Sequence, residues 1–212
     1  MKNFFATLIT LFIIGIQNFC SAVMIEDTRS QFHEKVFYPL VRMNDSAIEK
    51  KINSAIIAEV DRFITGVYRN AQEINAEVAD VRTNYKIACN EAGNTVILSV
   101  VLTESNYYKG AAHPATYMHA LNFNTGNGEL MKQDYLLEVG EGIKEEKFLR
   151  RLEEKLKAHC EREKLYLFPE ALPLKKLPEN FYWDENLHVH FIFQHYEIAP
   201  YATGIIDVDI DA

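Results

Sequence analysis

Two alternating runs near the end of the chain limit what it can fold into. In the first, Leu187, Val189, Phe191 and Phe193 fall on one side while His188, His190 and Ile192 fall on the other. In the second, Ile206, Val208 and Ile210 alternate with Asp207, Asp209 and Asp211. A period of two is the mark of a strand with one buried face. Between the runs lies Tyr196-Glu197-Ile198-Ala199-Pro200-Tyr201-Ala202-Thr203-Gly204, where Pro200 fixes the chain and Gly204 is free to take positive φ. The buried side of these strands needs a cover, and the upstream chain offers two amphipathic helices.

The first helix follows Ser46-Ala47-Ile48-Glu49, which reads as a capping box. Ile48, Ile52, Ala55, Ile56, Val60, Phe63, Ile64 and Val67 then recur every three or four residues, which predicts a helix of roughly 20 residues. The second spans 143–165, with Phe148, Leu149, Leu152, Leu156 and Cys160 as its apolar stripe and Glu146–Arg150 and Glu153–Lys157 as surface pairs. Between the helices, Gln72 to Ala79 reads as a polar linker and Val81 to Cys89 as a strand. Glu91 to Asn94 turns the chain into a second strand, Thr95 to Thr103, which closes a hairpin. Glu104 to Ala115 reads as a loop, Thr116 to Asn124 as a strand, Thr125 to Gly128 as a tight turn, and Met131 to Glu138 as a short helical turn.

At the front, Val23 to Gln31 is polar and carries no periodicity. Val36 to Leu40 contains Pro39, which suits an edge strand or an extended arm. Pro169, Pro173 and Pro178 hold an extended crossing segment before Phe181-Tyr182-Trp183, the turn at Asp184 and the first alternating run. The expected fold class is α+β: an antiparallel β-sheet with two long amphipathic helices packed on one face.

Residues 1–22 have the pattern of a secretory signal peptide: Lys2, an apolar run from Phe4 to Ile16, and the small residues Ser21 and Ala22. Removal leaves a length suited to one domain, or to two small subdomains sharing a core, and no stable membrane insertion is expected after cleavage. The chain carries a net charge of −8. That sign disfavours nucleic acid and anionic lipid surfaces and favours encounter with a cationic partner. Beyond residue 22 the cysteines are Cys89 and Cys160, each on the apolar side of its element. They either pair in an oxidising compartment or stay as buried thiols.

Three segments together resemble a known family. They are Tyr196 to Ala202 followed by Gly204, the loop Gly110-Ala111-Ala112-His113-Pro114, and Asn122-Phe123-Asn124-Thr125-Gly126 running into Leu130. They are similar to the RsiV-type extracytoplasmic domain, a family of unknown function (DUF3298) whose members are preceded by a DUF4163 region. On that resemblance, 23–115 is the N-terminal half of an RsiV-like module and 116–212 the C-terminal half. The family forms the outer part of the anti-sigma factor RsiV, where it implies a receptor for lysozyme, and an accessory region of some peptidoglycan deacetylases. Only three residues precede the apolar run here, so a cytoplasmic sigma-binding part is not expected. The resemblance implies a secreted or periplasmic bacterial module.

The residues that suit binding are Tyr107, Tyr108, His113, Tyr117, Tyr196, Glu197 and Tyr201, because tyrosine anchors interfaces and imidazole titrates near neutrality. The expected role is a cell-envelope binding module without catalytic residues, cofactor or metal. Its partner would be lysozyme, another cationic extracellular protein, or a cell-wall component. The alternative is a cell-wall-acting hydrolase or metal-dependent enzyme that uses histidines and carboxylates near His113 and His190. His188 and His190 at i and i+2 have spacing that a metal can bridge, with Glu197 or His113 as a third ligand. Glu104, Glu197 and Asp134 are candidates for a glycosidase carboxylate pair.

Overall fold

The computed structural model describes residues 23–139 and 145–211; the expected leader at 1–22 and the first residues of the second helix, 143 and 144, lie outside them. The elements run β1 (Met24–Arg29), β2 (Phe37–Arg42), α1 (Ser46–Glu73), β3 (Val78–Asn90), β4 (Ile97–Tyr108), β5 (Ala115–Asn124), β6 (Glu129–Leu130), α2 (Gln133–Val139), α3 (Glu145–Glu163), β7 (Phe181–Trp183), β8 (Val189–Phe193) and β9 (Ile206–Asp209). The fold is α+β, with its strands in antiparallel sheets ordered β1-β2, β3-β4-β5-β6 and β7-β8-β9. No helix among the described residues is long and apolar enough to cross a membrane.

Each long helix covers its own sheet. Ile52, Ile56, Val60, Phe63 and Val67 of α1 share a core with Val81, Leu98, Val100, Leu102, Leu121 and Phe123. Phe148, Leu152, Leu156 and Cys160 of α3 share another with Phe181, Trp183, Phe191, Phe193, Ile206 and Val208. β4 lies between them. Its Leu98, Val100 and Leu102 face α1, and Val101 packs with Tyr182 and Ile192 of the three-stranded sheet. That double burial explains why Ile97 to Leu102 is nearly uninterrupted in its β-prone character. Ile192, on the expected polar side of its run, is fully buried for the same reason.

A polar junction joins the two larger sheets. The Ser99 hydroxyl donates to Asn122 Oδ1 at 2.7 Å and accepts the Trp183 N–H at 3.2 Å, while Asn122 Nδ2 donates to the Phe181 carbonyl at 2.7 Å. All of these groups are buried, so each partner is needed. The outward backbone of β5 is met by side-chain amides. Gln194 Oε1 accepts the Met118 N–H at 3.1 Å and Gln194 Nε2 donates to the Met118 carbonyl at 2.6 Å. Asn180 Oδ1 accepts the Ala120 N–H at 2.8 Å. Asn124 and Thr125 shape the next turn, with Asn124 Oδ1 accepting the Gly126 N–H and Thr125 donating to Glu91. The boundary expected at 115/116 falls at the start of β5, whose ladder with β4 makes one sheet of both halves.

Several local expectations are corrected. The helix cap is Asp45, which accepts from the Ala47 and Ile48 N–H groups, so α1 begins one residue earlier than a Ser46 cap implies. Glu49 instead accepts the Met43 N–H at 2.9 Å and pairs with Arg42; those contacts, the Met43 bond foremost, hold its carboxyl below the usual range. α1 continues through Gln72 and Glu73 because buried Ala71 extends its apolar stripe. Residues 24–29 form a strand paired with β2 in register from Met24↔Arg42 to Arg29↔Phe37. This strand is held by its ladder more than by a buried face, and so lacks apolar periodicity. β4 runs on to Tyr108, which makes Glu104, Tyr107 and Tyr108 strand residues and shortens the loop to 109–114. On α3, Glu153 accepts the Leu174 N–H at 2.5 Å and Arg150 Nε donates to the Glu146 carbonyl, so neither expected surface pair forms in its simple i,i+4 form.

Cys89 and Cys160 are free, buried thiols within the same core, and burial pushes both above the ordinary thiol range. Site-resolved alkylation and mass spectrometry are expected to find both unmodified in the native protein and both labelled in denaturant. Asn122→Leu is expected to destabilise the fold by about 2–4 kcal/mol in urea titration, because the Phe181 carbonyl would lose its side-chain donor and the Ser99 hydroxyl its acceptor, at about 1–3 kcal/mol each.

Candidate functional site

The connection after β8 folds on itself. Tyr196 sits at φ 64°, its N–H donates to the Ala199 carbonyl at 3.1 Å, and the Glu197 N–H donates to the Gln194 carbonyl at 3.2 Å. Glu197 Oε2 accepts the Gln194 N–H at 2.8 Å, bracing the same turn. Ile198 and Ala199 plug into the core, and the Ile198 carbonyl accepts the Phe168 N–H at 2.9 Å. Pro200 opens a short 3₁₀ turn, Tyr201–Thr203, and Gly204 takes φ 85°, a conformation that disfavours a side chain. Tyr196 is left 60% exposed.

The 109–114 loop docks on this turn. The Tyr201 hydroxyl donates to the Pro114 carbonyl at 2.8 Å, and His113 Nδ1 lies 3.0 Å from the same oxygen. The Tyr201 ring stacks with His113 at 3.7 Å and with His195 at 4.3 Å, and lies 5.9 Å from Tyr196. Of the residues expected to bind, His113, Tyr196 and Tyr201 thus form one aromatic face, and Glu197 is an exposed brace of the same turn. The others serve elsewhere. Tyr107 donates to the Ala111 carbonyl at 3.0 Å and shapes the loop; Tyr108 donates to the Val67 carbonyl at 3.0 Å and is turned to α1. Tyr117 is 40% exposed on β5 and stacks on His119 at 6.5 Å. His195 was not among the expected residues, although it stands beside Tyr196 in the sequence.

His188 and His190 belong to a separate acidic network. His188 Nδ1 lies 3.0 Å from Asp209, and His190 Nδ1 lies 2.9 Å from Asp207. The Tyr182 hydroxyl donates to Asp207 at 2.6 Å, its ring stacks on His190 at 4.6 Å, and Lys86 sits 4.3 Å over that ring. The Asp209 hydrogen bond raises His188 above the ordinary imidazole value. Burial acts to lower His190, but Asp207, Asp209 and Asp184 together raise it. Asp184 and Asp209 are lowered against their burial, chiefly by backbone N–H groups and the histidines. The metal-bridging arrangement of His188 and His190 is therefore replaced by two His–Asp pairs. His113 and His190 sit in different networks, one with Pro114 and Tyr201, the other with Tyr182 and Asp207.

A third cluster lies between α1 and the four-stranded sheet. Glu104 Oε2 lies 2.7 Å from His119 Nδ1, and Glu59 Oε1 lies 3.5 Å from the same nitrogen. Arg62 Nε donates to Glu59 Oε2 at 2.9 Å. Burial acts to raise the Glu59 carboxyl, but Arg62 and His119 hold it below the usual range. Glu59, Arg62 and His119 open on a groove of about 500 Å³ that is also lined by Asn180, Gln194 and Glu197, while Glu104 is buried behind them. Glu104 appeared in the sequence only as one of many carboxylates; Glu59, Arg62 and His119 carried no signal, because strand pairing and helix packing bring them together. Asp134 lines a different depression, with Asn122 and Phe181, so it does not join Glu104 and Glu197 there.

The fold and these surfaces define an α+β module in which two helix-backed sheets carry a rigid aromatic turn. Residues 116–212 match the family described as "Protein of unknown function (DUF3298)". No curated protein matches the chain. Among solved structures, it is similar to a DUF3298 family member from Bacteroides fragilis NCTC 9343, with 16% identity, a TM-score of 0.54, and coverage of 89% of this chain and 88% of that one. A DUF3298 family protein from Pseudomonas aeruginosa PAO1 is similar at 15% identity and a TM-score of 0.55, over 90% of this chain and 88% of that one. At these identities the likeness concerns the fold.

The His–Asp pairs lead to a pH dependence. The contribution of His188 and His190 is fully present below the unfolded imidazole value of about 6.5 and is lost as pH rises through their raised folded values. That of Asp184 and Asp209 is present above about 3.9 and is lost as pH falls through their depressed values. His190→Gln is therefore expected to cost most stability at about pH 5–6, with the gap to the parent narrowing above about pH 7 in urea unfolding.

Proposed function

We propose that this chain is a cell-envelope binding module without catalytic activity, working outside the cytoplasm, and that a cationic protein docks on the face made by the His113 loop and the Tyr201 turn. One observation carries the reading: the turn is braced by hydrogen bonds and a buried Ile198-Ala199 plug, yet presents Tyr196 at 60% exposure beside a stacked Tyr201. A preorganised aromatic anchor loses little entropy on binding. The net charge of −8 adds attraction for a partner of opposite sign. The RsiV-type resemblance supplies lysozyme as the example of such a partner, and the leader-like pattern at 1–22 supports a secreted or periplasmic setting. The histidines at 113, 188 and 190 are engaged in structural contacts, which supports binding over acid–base chemistry.

Calorimetric titration at low salt is expected to give binding to lysozyme that weakens as salt rises. Tyr196→Ala should lower the affinity at least about 10-fold with an unchanged circular dichroism spectrum. Heat with soluble peptidoglycan fragments but not with lysozyme would shift the partner to the cell wall; no binding to either would remove the reading.

A further inference from the structure

We propose that Glu59, Glu104 and His119 form a binding site for a divalent cation of the zinc class. The argument begins with Glu104. Its side chain is fully buried on β4, on the face that carries Leu98, Val100 and Leu102 against α1. One oxygen, Oε2, meets His119; the other, Oε1, is buried and has no hydrogen-bond partner. An unsatisfied carboxylate oxygen in an apolar layer is costly and calls for a ligand.

The surroundings suit a cation. His119 stands diagonal to Glu104 across the β4–β5 ladder, where Leu102 pairs with His119 and Glu104 with Tyr117. Glu59 comes down from α1, and one ligand atom from each residue lies within 4.8 Å of the other two. In a tetrahedral zinc site with bonds of about 2.0–2.2 Å, ligand atoms stand roughly 3.3–3.5 Å apart. His119 Nδ1 lies 3.5 Å from Glu59 Oε1 and 2.7 Å from Glu104 Oε2, close to that spacing. One imidazole with two carboxylates suits zinc and neighbouring transition metals better than magnesium or calcium, which favour all-oxygen shells. Three protein ligands leave a further position, and the groove with Asn180, Gln194 and Glu197 gives water or a ligand access to it.

Arg62 is the built-in competitor. It pairs with both oxygens of Glu59, yet its own side chain is 60% exposed and has solvent to swing into. On binding, the cation takes over the Glu59 oxygen nearest His119 and replaces any proton on His119 Nδ1. The site is separate from the aromatic face and does not depend on that face being a docking surface.

The test uses tag-free purified protein, treated with a chelator and titrated with zinc chloride by calorimetry and with cobalt(II) by visible absorption. The expected result is about one equivalent of zinc per chain and a cobalt spectrum with imidazole–carboxylate ligation. His119→Gln, at a half-exposed position, and Glu104→Gln should each weaken binding at least about 10-fold. His190→Gln, which alters the other histidine–carboxylate cluster, should bind as the parent does. No zinc uptake by the parent at about 1 mM metal, or uptake that His119→Gln leaves intact, would overturn the proposal.

Discussion

Leu98, Val100 and Leu102 lean on α1, while Ser99 and Val101 meet the three-stranded sheet, so one strand divides two cores. Everything else depends on that double burial. It brings Glu104 beneath α1, sets β5 where His119 meets Glu59, and seats β7 and β8 so that the connection after β8 faces the 109–114 loop. The Ser99–Asn122 junction fixes how the sheets sit on each other, because hydrogen bonds are directional where apolar packing is not.

Both candidate surfaces follow from this arrangement but differ physically. The aromatic face is a surface feature: short-range hydrogen bonds freeze a turn, and its exposed ring is the consequence. The Glu59–Glu104–His119 cluster is a burial feature: a carboxyl group sits in an apolar layer with an oxygen left over. The first favours a large partner, the second a small ion. They are linked through Gln194 and Glu197, which brace the turn and also line the groove.

Much of the fold was legible in the sequence because periodicity reports burial directly. The stripe from Ile52 to Val67, the stripe from Phe148 to Cys160, the β3–β4 hairpin and the closing strands lie where the pattern put them, except that Leu187, at φ 63°, belongs to the turn before β8 rather than to the strand. The misses share a cause. Residues 24–29 are held by a ladder to β2, and Tyr107 and Tyr108 by pairing with β3; hydrogen-bond pairing leaves a weaker mark on the sequence than burial does. Among the site residues, His113, Tyr196 and Tyr201 were legible because they stand in a distinctive turn and loop. Tyr108 was misplaced because its hydroxyl seeks the Val67 carbonyl. The Glu59–Glu104–His119 cluster joins three elements, and no local pattern encodes such a meeting.

The amides of Gln194 and Asn180 on the outer backbone of β5 have a wider consequence. An open strand margin invites a foreign segment to zip onto it, whether as a recognition mode or as the first step towards a fibre. Here those positions are already taken by the chain's own side chains. At Met118 and at the Ala120 N–H a partner finds the backbone already engaged, and discrimination between partners there falls to side-chain shape and charge.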